Sequence, residues 1–214
     1  MTDHPMLQLA LDDPKRALET ARRAGAYSDV IEAGTLLCLS EGLGVIRSLR
    51  KICPEQPVVA DVRIVRAGHA IASLAFDAGA DWVTVAGEAP LGTIEAAVRA
   101  AMSCHGEIQV ELHADWTREQ AKEWHQLGIR HVICQNSSEI AAVGSRPSRK
   151  LVGSIHQLAD LGFDVSLAGG ITRSTVTMFS GIPVRIFVAG RSIVEASDPG
   201  NAAHELRIAI RQGV

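Results

Sequence analysis

The sequence lacks a block of one charge. Lys and Arg number 21 against 24 Asp and Glu, for a formal net charge of −3, and neither sign forms a long run. Binding to nucleic acid or to anionic lipid needs concentrated positive charge, so neither is expected as a partner. No apolar run approaches the ~20 residues of a membrane helix, and the first residues lack the basic and apolar blocks of a signal peptide. We therefore expect a cytoplasmic protein.

Paired cysteines are also missing. The four cysteines lie singly, without CxxC spacing, at Cys38, Cys53, Cys104 and Cys134. This pattern argues against a zinc knuckle and against a disulfide framework, and favours small buried apolar side chains. The 214 residues, 47% of them hydrophobic, suffice for one full core, and no Pro-, Gly- or Ser-rich linker divides them. We predict a single domain over residues 1–214.

Eight short runs rich in β-branched residues alternate with stretches of helical spacing. The predicted strands are Leu7–Asp12, Asp29–Gly34, Val58–Ile64, Trp82–Val85, Ile108–His113, His131–Gln135, Asp164–Ala168 and Val184–Ala189. The predicted helices lie near 14–24, 40–52, 67–78, 90–104, 117–126, 148–161, 172–179 and 200–212. Repeated βα units predict a (β/α)8 TIM barrel, because a parallel sheet needs both faces covered. An open doubly wound sheet is the alternative, although the first strand-to-helix turn lacks GxGxxG.

Local signals mark several helix ends. Thr117 with Gln120 approximates a capping box, and Asp13 with Pro14 is typical of a helix start. Glycines follow four predicted helices, where a left-handed residue is expected to end the helix: Gly25, Gly79, Gly128 and Gly162.

Strand alternation predicts a cluster of carboxylates. On four strands it places one acidic side chain inside the barrel near the C-terminal end, where active sites of this fold lie. The four are Asp12, Glu32, Asp61 and Glu111. The same alternation puts Arg63 beside Asp61, and His113 beside Glu111.

Four carboxylates at one mouth require compensation. Two unit charges 4 Å apart interact by about 4 kcal/mol at an effective dielectric of 20. Arg63 is one candidate for the compensating charge, and Mg²⁺, which prefers oxygen ligands, is another. A protonated carboxylate is the third.

Two glycine turns predict a phosphate site. Gly169 and Gly170 follow the seventh strand, and Gly190 and Arg191 follow the eighth. The loops after these strands commonly hold phosphate in such barrels, because glycines let backbone N–H groups approach the anion. Arg191 adds a bidentate donor.

These residues stand in motifs that resemble a known family. The motifs are Leu9–Asp12, Ile31–Thr35, Ala60–Asp61, Ala80–Val85, Gln109–Leu112, Trp116–Thr117, Ala168–Gly170, Gly181–Pro183 and Val188–Ile193. Together they resemble the 3-keto-L-gulonate-6-phosphate decarboxylase and hexulose-6-phosphate synthase group of the orotidine-5′-phosphate decarboxylase suprafamily. The resemblance extends from Leu7 to about Arg211.

The resemblance implies a homodimer with its site near the subunit interface. Glu32 and Asp61 would bind Mg²⁺, and Asp12 and Glu111 would line the sugar site. The phosphate would be held by Gly170, Gly190 and Arg191, with Gly169 in the same turn. The implied activity is that of a lyase on a phosphorylated keto sugar or sugar acid, acting through a stabilised enediolate. Decarboxylation of 3-keto-L-gulonate 6-phosphate is the leading version.

The chain departs from the group at four positions. Where the group carries Asp-x-Lys-x-x-Asp, this chain has Arg63 for the lysine and Arg66 for the second aspartate. Arginine can stabilise an oxyanion but is a poor proton donor. A His and an Arg near the end of the sixth strand are replaced by Gln135 and Ser138. Histidine has an unperturbed pKa of about 6.5, so His113 is a candidate proton donor. The alternative is a structural histidine, hydrogen-bonded near Asp115 or Trp116.

Other functions stay open at this point. They are a hexulose-6-phosphate synthase-type aldolase, a pentulose-phosphate isomerase or epimerase using His113, and a sugar-phosphate binding protein without turnover. The polar residues 145–148 form a candidate loop to close over the substrate.

Overall fold

The structure is a computed structural model that describes residues 4–136 and 147–213. Eight parallel strands form a closed barrel in sequence order, and β1 pairs with both β2 and β8. The strands are β1 Met6–Leu11, β2 Val30–Ala33, β3 Val58–Ile64, β4 Trp82–Ala86, β5 Glu107–Glu111, β6 His131–Gln135, β7 Asp164–Ala168 and β8 Ile186–Ala189. The predicted (β/α)8 barrel is confirmed, and the open sheet is excluded.

Helices surround the sheet and alternate with its strands. They are α1 Ala17–Ala24, α2 Thr35–Glu41, α3 Gly44–Ile52, α4 Gly68–Asp77, α5 Leu91–Cys104, α6 Arg118–Gln126, α7 Arg149–Asp160, α8 Arg173–Met178, α9 Arg191–Val194 and α10 Pro199–Gly213. Helix α6 begins with the predicted capping box, in which Thr117 and Gln120 exchange side-chain to backbone hydrogen bonds. None of the helices in the described ranges is both long and apolar enough to cross a membrane.

Two details of the helix prediction are wrong. The single helix expected at 40–52 is divided into α2 and α3, because Gly42 takes a left-handed conformation with φ 66° that interrupts the helix. Gly25 is not left-handed: it has φ −57° and begins a 3₁₀ turn that ends at Tyr27. A Cβ on Gly25 would lie 2.5 Å from the Cys53 sulfur, so space explains this glycine.

The remaining turn glycines behave as predicted. They have φ 99°, 83° and 92° at Gly79, Gly128 and Gly162, respectively. Positive φ is accessible to glycine at little steric cost, so these residues end their helices and redirect the chain into β4, β6 and β7.

The core has two parts, separated by the sheet. Outward-facing side chains such as Leu7, Leu9 and Leu11 pack against the helices in the larger cluster. A smaller apolar cluster, which includes Ala10 and Val188, lies apart from it. Three fully buried polar side chains accompany these layers: Gln8, Gln109 and Ser166.

The strand beginnings form what we call the lower rim, and four carboxylates there pair with arginine. Asp29 pairs with Arg207 and Arg211, Asp81 with Arg50, Glu107 with Arg130, and Asp164 with Arg185. Glu107 also lies 2.6 Å from Nε2 of His131, whose ring stacks on Trp82. The N-terminal end of the barrel is thus closed by paired charges and stacked rings.

The register between β3 and β4 is irregular near the opposite end, which we call the upper rim. Ala60 pairs with Val83, but the next pair joins Ile64 to Val85. Three residues of β3, positions 61–63, therefore face the single residue Thr84. Arg63 has φ 43°, a conformation that side chains other than glycine rarely adopt.

The cysteines carry no disulfide in the described part of the chain. Cys38, Cys53 and Cys134 are buried and Cys104 is exposed, all with free thiols. Burial raises the pKa of Cys38 and of Cys134 to about 12. The three buried thiols therefore behave as the small apolar side chains that their isolated positions predict.

Candidate active site

A cavity of about 670 Å³ opens at the upper rim, inside the ring of strand ends. Its lining includes nine of the ten residues expected from the sequence to form the site: Asp12, Glu32, Asp61, Arg63, Glu111, Gly169, Gly170, Gly190 and Arg191. Strands β1, β2, β3 and β5 contribute the acidic side, and the turns after β7 and β8 contribute the glycines. The structure thus brings the carboxylates and the glycine turns to one cavity.

Asp61 is held by two hydroxyl groups. Thr35, at the start of α2, donates to Oδ2 at 2.6 Å, and Thr84 on β4 donates to Oδ1 at 2.7 Å. Each carboxylate oxygen keeps a further lone pair. Asp61 is therefore fixed in orientation and still able to bind a ligand in the cavity.

Glu32 lies deeper and is buried. The Gln8 side-chain amide donates to its Oε2. Burial, followed by the charge of Asp61, raises the pKa of Glu32 to about 8. In the absence of a cation this carboxyl group is therefore protonated over most of the neutral range.

Asp12 follows β1 and is only partly withdrawn from solvent. Its Oδ1 accepts the backbone N–H of Leu36 at 3.2 Å, and burial raises its pKa. A Cβ on Gly34 would lie 2.2 Å from the same oxygen. The glycine before α2 is thus needed for the Asp12 carboxylate to reach the helix start.

Glu111 is the cavity carboxylate that has a cationic partner. Arg63 Nε lies 2.7 Å from its Oε2, and Gln135 donates to its Oε1 at 2.7 Å. Burial nevertheless raises the pKa of Glu111. Arg63 therefore compensates Glu111, and the compensation does not extend by direct contact to Glu32 or Asp61.

The anion end is built from backbone and one arginine. Gly169 and Gly170 have φ 96° and 62°, and a Cβ on Gly169 would lie 2.4 Å from the Asn136 carbonyl oxygen. Gly190 precedes α9, which begins at Arg191. The Ile193 and Val194 N–H groups bond the Gly190 carbonyl oxygen, so within the described contacts the Arg191 and Ser192 N–H groups are the ones left for an anion. Arg191 is exposed at the cavity and forms no ion pair with any residue that the structure describes.

The predicted inward placement of His113 is wrong. Strand β5 ends at Glu111, so strand alternation does not extend to residue 113. His113 instead lines a neighbouring cavity of about 350 Å³, together with Trp116 and Lys150, and its Nδ1 accepts the Asp115 N–H at 3.3 Å. This is the structural arrangement that competed with a catalytic role.

The other departures from the family pattern lie in different places. Gln135 lines both cavities, whereas Arg66 is exposed and does not line the cavity of the carboxylates. Ser138 and the first two residues of the candidate loop at 145–148 fall outside the described residues, whereas Pro147 and Ser148 are described.

Three residues that hold the carboxylates in place were not predicted from the sequence: Thr35, Thr84 and Gln8. Thr35 and Thr84 belong to the motifs that carry the family resemblance, but a hydroxyl signals no charge or metal preference, so neither received a role. Gln8 could be placed inside the barrel by alternation, yet its contact with Glu32 depends on the register of β1 with β2.

No group of three or more His, Cys, Asp or Glu side chains in residues 4–136 and 147–213 is arranged to hold a metal ion. The cavity offers two neighbouring carboxylates instead. Mg²⁺ is commonly held by one or two carboxylates, with water and substrate oxygens completing six ligands.

The comparisons agree with the motifs. The model of the orotidine 5′-phosphate decarboxylase / HUMPS family matches residues 5–206. The chain is 39% identical over 210 residues to 3-keto-L-gulonate-6-phosphate decarboxylase SgbH of Escherichia coli K12, covering 96% of this chain and 94% of that protein.

Solved structures give the same result. A 3-keto-L-gulonate-6-phosphate decarboxylase (KGPDC) of Streptococcus mutans, crystallised with D-R5P, has a TM-score of 0.92 at 37% identity, covering 98% of both chains. A 3-hexulose-6-phosphate synthase has a TM-score of 0.86 at 35% identity, covering 96% of this chain and 99% of that one. These findings confirm the resemblance: this chain belongs to the orotidine 5′-phosphate decarboxylase / HUMPS family.

Proposed function

We propose that this protein is a carbon–carbon lyase that decarboxylates 3-keto-L-gulonate 6-phosphate with the help of Mg²⁺. The observation that carries the proposal is the single cavity in which acidic residues stand opposite two glycine turns and Arg191. A relative at 39% identity is named for this reaction, and the match covers 96% of this chain and 94% of that relative.

The substrate phosphate would bind between the turns after β7 and β8. Gly170 and Gly190 let the backbone approach the phosphate oxygens, and Arg191 brings a guanidinium group that matches them. Anchoring this end would place the carbonyl carbons of the sugar toward the strands that carry the carboxylates. Binding energy from the phosphate is then available to orient the carbon that loses CO₂.

Glu32 and Asp61 are the residues that would hold Mg²⁺. The charge of Asp61 contributes to the raised pKa of Glu32, so the two carboxylates are close enough to repel each other. No described cation is in contact with either of them, since Arg63 pairs with Glu111. The donor set fits this ion, which when bound supplies positive charge to the substrate oxygens that become negative as the C–C bond breaks.

Arg63 and Glu111 would act on the other side of the substrate. The guanidinium is half-exposed to the cavity and held at 2.7 Å by Glu111, so it can stabilise an enediolate oxygen without having to be reoriented. It retains its own proton, as arginine side chains do in proteins. Its role is electrostatic, and the proton that replaces CO₂ comes from another group.

We also propose that the protein works as a homodimer in the cytoplasm. The exposed apolar side chains Leu36 and Leu39 lie on α2, and Leu36 also lines the cavity. Val65 is half-exposed just beyond β3. Exposed apolar side chains are frequent in protein contacts, and a contact through α2 would bring a second copy close to the cavity.

A second candidate is the hexulose-6-phosphate synthase reaction, in which formaldehyde adds to ribulose 5-phosphate. The 35% identity to a synthase over almost the whole of both chains favours it. The same groups would stabilise the enediolate, formed here by loss of a proton and consumed by the aldehyde.

The test is a direct assay of purified protein. With MgCl₂ and 3-keto-L-gulonate 6-phosphate we expect release of CO₂, and loss of that release in EDTA. A parallel assay follows the uptake of formaldehyde in the presence of ribulose 5-phosphate. A protein that releases no CO₂ but consumes formaldehyde would be the aldolase. Deuterium exchange into ribulose 5-phosphate without carbon loss would indicate an isomerase or epimerase instead.

A further inference from the structure

Thr84 occupies an unusual position in the barrel. It is 1% exposed and stands alone on β4 opposite three residues of β3, because the register jumps between the Ala60–Val83 and Ile64–Val85 pairs. A bulge of this kind leaves ladder groups without their normal backbone partners. Something other than the β4 backbone must therefore satisfy them.

The Thr84 hydroxyl is the partner for one of these backbone groups. Its oxygen accepts the backbone N–H of Arg63 at 2.9 Å and donates its hydrogen to Oδ1 of Asp61 at 2.7 Å. A hydroxyl can do both at once, since it carries one donor and two acceptor sites. The atom thus joins two residues of the cavity wall that otherwise have no direct bond to each other among the described contacts.

The Thr84 hydroxyl also affects Glu111, through the backbone of Arg63. Arg63 holds φ 43°, which is sterically unfavourable for a residue with a Cβ and persists only when surrounding contacts enforce it. Its guanidinium in turn pairs with Glu111. The hydroxyl thus fixes the backbone from which the Arg63–Glu111 pair extends.

We propose that Thr84 is a positioning residue for the reaction: its hydroxyl sets the orientation of the Asp61 carboxylate and the left-handed backbone of Arg63. This inference rests on the proposed function, in which both residues act on the substrate. Thr84 does not line the cavity, so it acts only through them.

Thr35 provides the natural comparison. It too donates to Asp61, at 2.6 Å to the other oxygen, but it lies on α2, lines the cavity and, among the described hydrogen bonds, makes none to Arg63. Loss of its hydroxyl would leave the bulge intact. The effect specific to Thr84 is therefore the simultaneous disturbance of Asp61 and Arg63.

The experiment uses two substitutions of nearly equal shape. Thr84→Val replaces the hydroxyl by a methyl group and leaves both partners unsatisfied, whereas Thr84→Ser keeps the hydroxyl. We expect kcat for CO₂ release to fall by about 10²-fold in T84V, with KM close to that of the wild type, and to stay near wild type in T84S. Calorimetric titration with MgCl₂ alone is expected to show about tenfold weaker binding in T84V only. If T84V does not fold, Thr84→Ala takes its place with the same expectations.

The outcomes separate the possibilities. If T84V keeps its kcat, or if T84S loses as much as T84V while both melt at lower temperature, Thr84 has only a structural role and the inference fails. If wild-type protein releases no CO₂, the proposed function fails, and the MgCl₂ titrations decide on Thr84. If wild type also binds no Mg²⁺, crystal structures of the two variants decide: the inference requires that Asp61 and Arg63 move in T84V and remain in place in T84S.

Discussion

The two ends of the barrel carry four strand-end carboxylates each. The carboxylates at the two ends differ in the partners that satisfy them. At the lower rim, Asp29, Asp81, Glu107 and Asp164 each pair with arginine. At the upper rim Glu111 alone does so within the described part of the chain, and the other three rely on hydroxyl, amide or backbone donors. A carboxylate satisfied by arginine stabilises the fold, whereas one that lacks a counter-charge is available to bind a cation or substrate.

The electrostatics follow this division. Hydrogen bonding and charge from His131, with help from Arg130, lower the pKa of Glu107 at the lower rim. Burial and neighbouring carboxylates raise the pKa of Glu32 to about 8 at the upper rim. The same residue type therefore contributes to stability at one end and opposes it at the other. Four predictions test this contrast.

The largest effect is expected from Asp61→Asn. The substitution keeps the shape of the side chain but removes the charge that would hold the cation, so kcat for CO₂ release should fall by about 10³-fold or more. The melting temperature should stay the same or rise, because a repulsion with Glu32 is removed. Steady-state kinetics and thermal denaturation measure both.

The matched substitution at the lower rim is Asp81→Asn. It weakens the pair with Arg50 and the bond accepted from the Val58 N–H, and should cost about 1–3 kcal/mol of unfolding free energy with kcat unchanged. The contrast between the rims is wrong if folded D81N loses activity as severely as D61N.

The second effect is on the pH dependence of stability without metal. In the folded protein Glu32 keeps its proton up to about pH 8, whereas in the unfolded chain it loses it near 4.5. Unfolding therefore releases a proton between these values, and stability should fall by a few kcal/mol as pH rises from 5 to 8. Glu32→Gln should flatten this slope in EDTA.

The lower rim should give the opposite sign. Because the pKa of Glu107 is lowered, its contribution is present above pH ~4.5 and is lost as pH falls below that. Glu107→Gln should therefore reduce stability at pH 7 and weaken the acid transition. Equal pH slopes for wild type and E32Q between pH 5 and 8 would contradict the assignment at the upper rim.

The third prediction concerns the arginine at the cavity, Arg191. Arg191 faces the cavity without an acidic partner among the described residues, so Arg191→Ala should raise KM for the phosphorylated substrate by about 10- to 100-fold, with little change in stability. Arg173→Ala is the control, because Arg173 pairs with Glu205 and lies outside the cavity lining. A similar rise in KM for both variants would mean that general charge, and not the Arg191 site, attracts the substrate.

The smallest effect is expected at a residue outside the cavity lining. Thr117→Ala removes the cap of α6 and should lower the unfolding free energy by about 1 kcal/mol without affecting kcat. Urea denaturation measures the change. A loss of activity in T117A would show that α6 is coupled to the cavity, which the contrast between the rims does not include.

The fold and most of the cavity residues can be predicted from the sequence. The repeated βα pattern determines both which way each strand side chain faces and where the strand ends meet. Alternation gives the facing of Gln8, Glu32 and Asp61, and the fold then brings the strand ends together. The prediction fails where alternation itself stops. His113 lies beyond the end of β5, and Gly42 divides a stretch whose helical spacing continues on both sides.

The bulge in β3 shows a second limit. Nothing in the run from Asp61 to Arg63 marks an irregular register, because the cause lies in a side chain of the next strand, Thr84. Contacts of this kind depend on the relative positions of two strands to within about one residue. The identity of the cavity residues could thus be predicted, but not the hydrogen bonds that orient them.

The pairing of Asp29 has a practical consequence. This one carboxylate accepts the N–H of Leu7 near the beginning of the described chain and binds Arg211 near its end. Both described ends are thereby attached at the base of the barrel, on the side opposite the cavity. A fluorescent tag or an immobilising tether fused to either end would leave the mouth unobstructed, and a short linker between the two ends would allow new termini to be opened elsewhere without changing the order of the strands.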